Sequence, residues 1–165
     1  MHDYYKGLNF QIEALEKDSK HTNPKDAIGS DKIPLHLWPE SASILGSLGL
    51  LDGMLKYGRS NFRALGVRSS IYYDACLRHL IKWFEGEELD KDSGLPHLGH
   101  ALACIAIIVD AQACGKLNDD RMYKGGTIEL MEKMTPHVAR LKELYKDRNP
   151  HHYTKANDEF GNPPF

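Results

Sequence analysis

The chain predicts an all-α fold, a compact helical bundle built around one antiparallel helix hairpin. Three observations point there. Apolar residues recur at three- and four-residue spacing in successive segments. Glycines and prolines fall between those segments, and no alternating strand pattern of any length occurs.

The first 22 residues are polar, with a faint helical spacing at Leu8, Ile12 and Leu15. Residues 23–39 read as an extended loop punctuated by Pro24, Gly29, Pro34 and Pro39. A first long helix is expected over residues 40–57, where Ile44, Leu48, Leu51 and Leu55 form an apolar stripe and Gly58 ends it. Ala42, Gly46, Gly49 and Gly53 make a second stripe of small residues, which favours close packing of another helix over room for a ligand. A second helix covers residues 71–84 and can extend toward Asp90, with Tyr73, Leu77, Leu80 and Phe84 as its stripe. The third starts at Pro96, a good first-turn residue, and runs to Ala113 on the stripe Leu98, Leu102, Ile105 and Val109. The short connector at 91–95 makes these two an antiparallel hairpin. A last helical region over 128–145 is interrupted at Thr135-Pro136. The expected organisation is a single helical domain, 1–148, with its core at about 23–114, and a polar tail at 149–165.

A chain of 165 residues with 41% hydrophobic content is a comfortable single domain. Lys plus Arg number 21 against 23 Asp plus Glu, with no polybasic run, which argues against binding a nucleic-acid polymer. Small anionic ligands need only a few local cations and stay open. Cys76, Cys104 and Cys114 are odd in number and form no CxxC pair, which favours a reducing compartment. The start MHDYYKGLNF lacks a signal-peptide pattern, and the apolar stretch 101–113 carries Asp110 and is too short for a bilayer. A cytoplasmic protein without a membrane partner is expected.

The hairpin segment RHLIKWFEGEELDKDSGLPHLGHALAC (78–104) carries the candidate chemistry. On a helix continued past Gly86, His79, Trp83, Glu87 and Asp90 share one flank; His97, His100 and Cys104 share a flank of the next helix. Glu87 and Asp90 before the bend and His97 and His100 after it could hold a divalent cation, with Glu85, Glu88 and Asp92 as close substitutes. Asp92 or Ser93 could instead cap the third helix. On continuous helical geometry His79 lies about 12 Å along the axis from Glu87. That places it as a substrate contact or second site rather than a ligand of the same ion. Carboxylates suit Mg²⁺ or Mn²⁺, and imidazoles tilt the choice toward Mn²⁺. Lys56, Arg63 and Arg78 are candidate phosphate contacts. Trp38, Phe62 or Trp83 could stack a purine and Asn61 could read its edge. No Ser/His/Asp arrangement, zinc-type cysteine spacing or GxxxxGK loop occurs.

DKIPLHLWP (31–39), KYGRSNFR (56–63) and the 78–100 segment occur in order. Together they resemble the N-terminal domain of phage dATP/dGTP diphosphohydrolases, a MazZ-like branch related to the MazG all-α nucleotide pyrophosphohydrolases. The resemblance spans about residues 23–114. It implies a MazG-like helical fold and hydrolysis of purine deoxynucleoside triphosphates between the α- and β-phosphates, using Mg²⁺ or Mn²⁺. Glu87, Asp90 and His79 are then the catalytic candidates. It also implies a homodimer or homotetramer acting in a host cytoplasm. The broader MazG pattern places ExxE and ExxD on two helices; here Glu85 and Glu88 fit the first and Glu87 and Asp90 the second, with HxxH following instead. A histidine-aspartate phosphohydrolase is disfavoured, because the only adjacent His-Asp pair, His2-Asp3, lies in the polar start. The alternative from another class is a non-catalytic nucleotide-binding or regulatory phage protein.

Overall fold

The computed structural model describes residues 23–29 and 31–154; the expected helical spacing at Leu8, Ile12 and Leu15 lies outside them. The chain divides into two compact units, the first ending at Asp120 and the second starting at Arg121.

The first unit is helical, as the sequence predicts, with one small exception. Helix α1 (Pro24–Gly29) falls inside the segment read as a loop. Asn23 and Pro24 explain it: the Asn23 Oδ1 accepts a hydrogen bond from the Lys25 N–H at 3.0 Å, and proline suits the first helical position. A 3₁₀ turn at Leu35–Leu37 follows, and Trp38 just beyond it donates its indole N–H to Ser43 Oγ at 2.9 Å. Helix α2 (Glu40–Tyr57) begins after Pro39 and stops at Gly58, whose φ of 91° suits glycine. Helix α3 (Asn61–Leu65) is a short turn entered through Ser60 at φ 60°.

Helices α4 (Ser69–Phe84) and α5 (His97–Ala113) form the expected antiparallel hairpin. Helix α4 does not reach Asp90. It closes at Glu85, and Gly86 at φ 95° turns the chain out of the helix. Neither Asp92 nor Ser93 caps α5; Pro96 occupies that position. Two residues on each side of the hairpin form a strand pair the sequence does not announce: β1 (Val67–Arg68) runs parallel to β2 (Leu117–Asn118), with Val67 opposite Leu117. Two-residue strands are too short to show alternation. They tie the start of α4 to the chain leaving α5. Asp120 adds a second tie, accepting from the Ser70 N–H at 2.8 Å and the Ser70 hydroxyl at 2.6 Å, so it caps α4 from fifty residues away.

Helix α2 crosses α5 through glycine. A Cβ on Gly49 would stand 2.7 Å from the Gly99 carbonyl oxygen, and one on Gly99 would stand 2.8 Å from that of Leu45. Gly46 and Gly49 are therefore packing residues, while a Cβ on Gly53 would meet nothing within 4 Å. This crossing is the close helix approach that the small-residue stripe predicts, and it leaves the apolar stripe facing outward. Among the described residues the buried apolar side chains are Val67, Cys76, Ala101, Ala103 and Ala111, all small. The stripe residues Ile44, Leu48, Leu51 and Leu55 are exposed on the chain taken alone, as are Tyr73, Phe84, Ile105 and Val109. The small-residue faces make the intrachain contact, because only they let two backbones approach this closely.

The second unit holds α6 (Thr127–Met134) and α7 (Pro136–Leu144). The interruption falls where proline predicts it. Thr135 keeps helical angles and its hydroxyl donates to the Met131 carbonyl at 2.8 Å.

Candidate functional site

The irregular stretch between α4 and α5 folds back on itself and sets the site. Leu89 bridges to Pro96, the Asp90 N–H donates to the Leu95 carbonyl at 2.8 Å, and the His97 N–H donates to the Glu88 carbonyl at 3.0 Å. This reversal brings Asp90 beside the first turn of α5. It also overturns the axial-distance argument for His79, which assumed that the helix continued past Phe84.

His79 and His97 meet directly: their Nδ1 atoms are 2.8 Å apart. With Asp90 they form a cluster in which one nitrogen of each ring and a carboxylate oxygen all lie within 4.8 Å of one another. His97 has no exposed surface. Its Nε2 lies 3.3 Å from Glu87 Oε1, with Lys82 and Lys91 each 3.7 Å from that carboxylate. The ring of His100 stacks on that of His79, centroids 4.7 Å apart, and its Nε2 is 2.8 Å from Ser93 Oγ. Ser93 in turn donates its hydroxyl and its N–H to Asp90 Oδ2 at 3.0 and 3.1 Å.

These bonds fix most of the protons. Because the Ser93 hydroxyl proton goes to Asp90, its oxygen accepts from His100 Nε2–H. An ionised Glu87 accepts from His97 Nε2–H, which leaves His97 Nδ1 as a bare acceptor for the His79 Nδ1–H. Moving that one proton from His79 Nδ1 to its Nε2 leaves two imidazole nitrogens and one carboxylate oxygen facing a common point. That donor set fits a divalent cation. Electrostatics agree. Burial, helped by the neighbouring His100 and His97, lowers the His79 pKa and favours its neutral form. The His97 hydrogen bond, followed by the two lysines, holds Glu87 below its ordinary value. Burial pushes Asp90 up, but the Ser93 hydrogen bonds and the nearby rings carry it lower on balance.

The cluster borders a cavity of about 870 Å³ whose walls include Lys56, Asn61, Arg78, His79, Asp90 and His100. Arg59 and Phe62 also line it. Lys56 is paired with Asp52 at 2.7 Å, which raises its pKa and keeps it cationic. Cys104 lies on the same wall, and burial pushes its thiol up to about 11, so it stays protonated and unreactive.

Several residues read from the sequence stand elsewhere. Arg63 is not a cavity residue; it makes a two-pronged bond to Asp110, Nε to Oδ2 at 2.8 Å, pinning α3 to α5. Trp83 lies one turn beyond His79 and Trp38 bonds Ser43, and neither lines the cavity. Glu85 and Glu88 are exposed, and Asp92 is an exposed residue on the cavity rim. The roles of Arg59, and of Ser93 as the link between Asp90 and His100, were not read in advance. Both lie inside quoted motifs, so their position was the available signal.

A family model described as dATP/dGTP diphosphohydrolase, N-terminal, matches residues 22–121. That span holds every residue of the cluster and of the cavity wall named above. No curated protein and no solved structure matches the chain.

Proposed function

We propose that this chain, which belongs to the dATP/dGTP diphosphohydrolase family, hydrolyses a purine deoxynucleoside triphosphate to the monophosphate and pyrophosphate with a divalent cation held by His79, Asp90 and His97. The observation that carries this reading is the convergence of those three donors, two of which, His79 and Asp90, line a cavity whose walls also supply Lys56 and Arg78. Water adds to the α-phosphorus, the bond to the bridging oxygen breaks, and pyrophosphate leaves with that oxygen. When bound, Mg²⁺ or Mn²⁺ neutralises phosphate charge and lowers the pKa of water. The chain's own residues do the rest. Lys56 and Arg78, with Arg59, receive the triphosphate, as phosphoryl transfer depends mainly on positioning and charge. His79, kept neutral by its burial, offers the cation a ring nitrogen rather than a positive charge that would repel it. Phe62 and Asn61 face the base, one by stacking and one by its amide.

The partner is a second copy of the chain, as a homodimer or homotetramer. The exposed stripe of α2 supports this, because Ile44 and Leu55 are 62% and 75% exposed on the single chain, and such a face is self-complementary across a two-fold axis. The ligand is a mononucleotide and not a nucleic-acid polymer, and the setting is the host cytoplasm of a phage-encoded enzyme. No helix among the described residues is long and apolar enough to cross a membrane.

The test is turnover of each of the four deoxynucleoside triphosphates with Mn²⁺ or Mg²⁺, with products resolved by anion exchange. The expected products are dAMP or dGMP and pyrophosphate. Nucleoside plus triphosphate, or tight nucleotide binding without products, would overturn the reading.

A further inference from the structure

Glu87 stands close enough to the cluster to be taken for a fourth ligand. Its contacts say otherwise. Oε1 faces His97 Nε2 at 3.3 Å and Lys82 Nζ at 3.7 Å, and Oε2 faces Lys91 Nζ at 3.7 Å. Both oxygens are thus directed at hydrogen-bond donors. The ring of His97 lies between Glu87 and the cluster, its Nε2 toward Glu87 and its Nδ1 toward His79. An imidazole whose far nitrogen donates to a carboxylate has its tautomer and its ring orientation fixed, and its near nitrogen made a better donor of electrons.

We infer that Glu87 is a positioning residue outside the metal's coordination sphere, acting through the buried His97 to aim Nδ1 at the cation. This rests on the reading that His79, Asp90 and His97 hold that cation. Two features of the packing make the role specific. His97 is fully enclosed, and Glu87 Oε1 is the acceptor that faces its Nε2. Lys82 faces the same Oε1 and Lys91 faces Oε2, and the backbone bond from His97 N–H to the Glu88 carbonyl keeps the two segments together.

A ligand and a positioning carboxylate respond differently to an amide. A glutamine carbonyl can still accept from His97 Nε2–H, whereas an amide in place of a metal-binding carboxylate removes the anionic donor. The experiment measures Mn²⁺ dissociation constants of the full-length protein without nucleotide, by the electron paramagnetic resonance of free Mn²⁺. Glu87→Gln should weaken binding by less than about 10-fold, Glu87→Ala by about 10–100-fold, and Asp90→Asn by more than either. Nitrogen-15 spectra of the metal-free protein give a second readout. The His97 Nε2–H tautomer should persist in wild type and Glu87→Gln and be lost in Glu87→Ala. Equal damage from Glu87→Gln and Asp90→Asn would make Glu87 a ligand and overturn the inference. Wild-type Mn²⁺ affinity in Glu87→Ala would overturn it as well. Wild-type affinity in Asp90→Asn would instead remove the metal reading beneath it, whatever Glu87 does.

Discussion

The tip of the α4–α5 hairpin and the outer face of α2 reverse the usual rule of burial. At the tip, His97 is fully enclosed and His100 is 8% exposed, while four residues of the α2 stripe, all isoleucine or leucine, remain open. Enclosing polar rings is costly unless every donor and acceptor is met, and at the tip they are: among the described residues no buried side-chain nitrogen or oxygen lacks a partner. The tip is therefore built around polar groups, and its neighbours Glu87, Ser93 and Asp90 exist there to satisfy them. The α2 face has no such network and gains nothing by facing water. One region is finished within a single chain; the other stays open on it, and is the face that the proposed second copy would cover.

The strongest way to break this contrast is at its most enclosed residue. His97→Ala removes one of the three proposed ligands and leaves His79 and Glu87 without their shared partner. Turnover of dATP or dGTP should fall by at least on the order of 100-fold, with Mn²⁺ binding weakened in parallel. Unchanged turnover in a folded variant would show that the enclosed ring serves packing alone, and the contrast would lose its functional half.

The α2 face is tested by charging it. Ile44→Glu with Leu55→Glu alters two exposed positions away from the cavity lining. Self-association should weaken by on the order of 100-fold or more, because each carboxylate would have to be buried unpaired. Sedimentation equilibrium reads this as a shift from dimer or tetramer toward monomer. A wild-type protein that is monomeric at tens of micromolar would remove the premise.

How far these two regions were legible from the residues follows from what each depends on. The α2 limits are local: Pro39 and Gly58 bracket the helix, and the structure keeps those bounds. The antiparallel hairpin was legible because a short connector joins two periodic segments, although the observed connection over residues 85–96 is longer than the 91–95 turn expected. The glycine face of α2 was legible too, since Gly46 and Gly49 announce the close helix approach that the structure shows, whereas the exposure of Ile44, Leu48, Leu51 and Leu55 was not, because hydrophobicity alone favours burying them. The position of His79 failed for a single angle. Gly86 at φ 95° turns the chain away from the helical line along which the distance to Glu87 was measured. Arg63 failed for another reason: its partner Asp110 is 47 residues distant, and no local pattern announces such a pair.

The smallest expected effect lies at Asp120, and it separates the tip from the scaffold that carries it. The Ser70 hydroxyl, then the Ser70 N–H, hold the Asp120 carboxyl below the ordinary value of 3.8. A carboxyl lowered on folding contributes stability above its unfolded pKa, and that contribution is lost as pH falls through the folded value. Asp120→Ala should therefore lower Tm by about 2–4 °C at pH 7, the scale of a lost helix cap. The two melting temperatures should converge as the pH drops below 3.8. Mn²⁺ affinity at pH 7 should not change, because Asp120 caps the opposite end of α4 from His79. A difference in Tm that stays constant across the titration would mean that Asp120 acts by packing, not as an ionised cap. A loss of Mn²⁺ affinity would mean that the placement of His79 depends on how the far end of its helix is fastened.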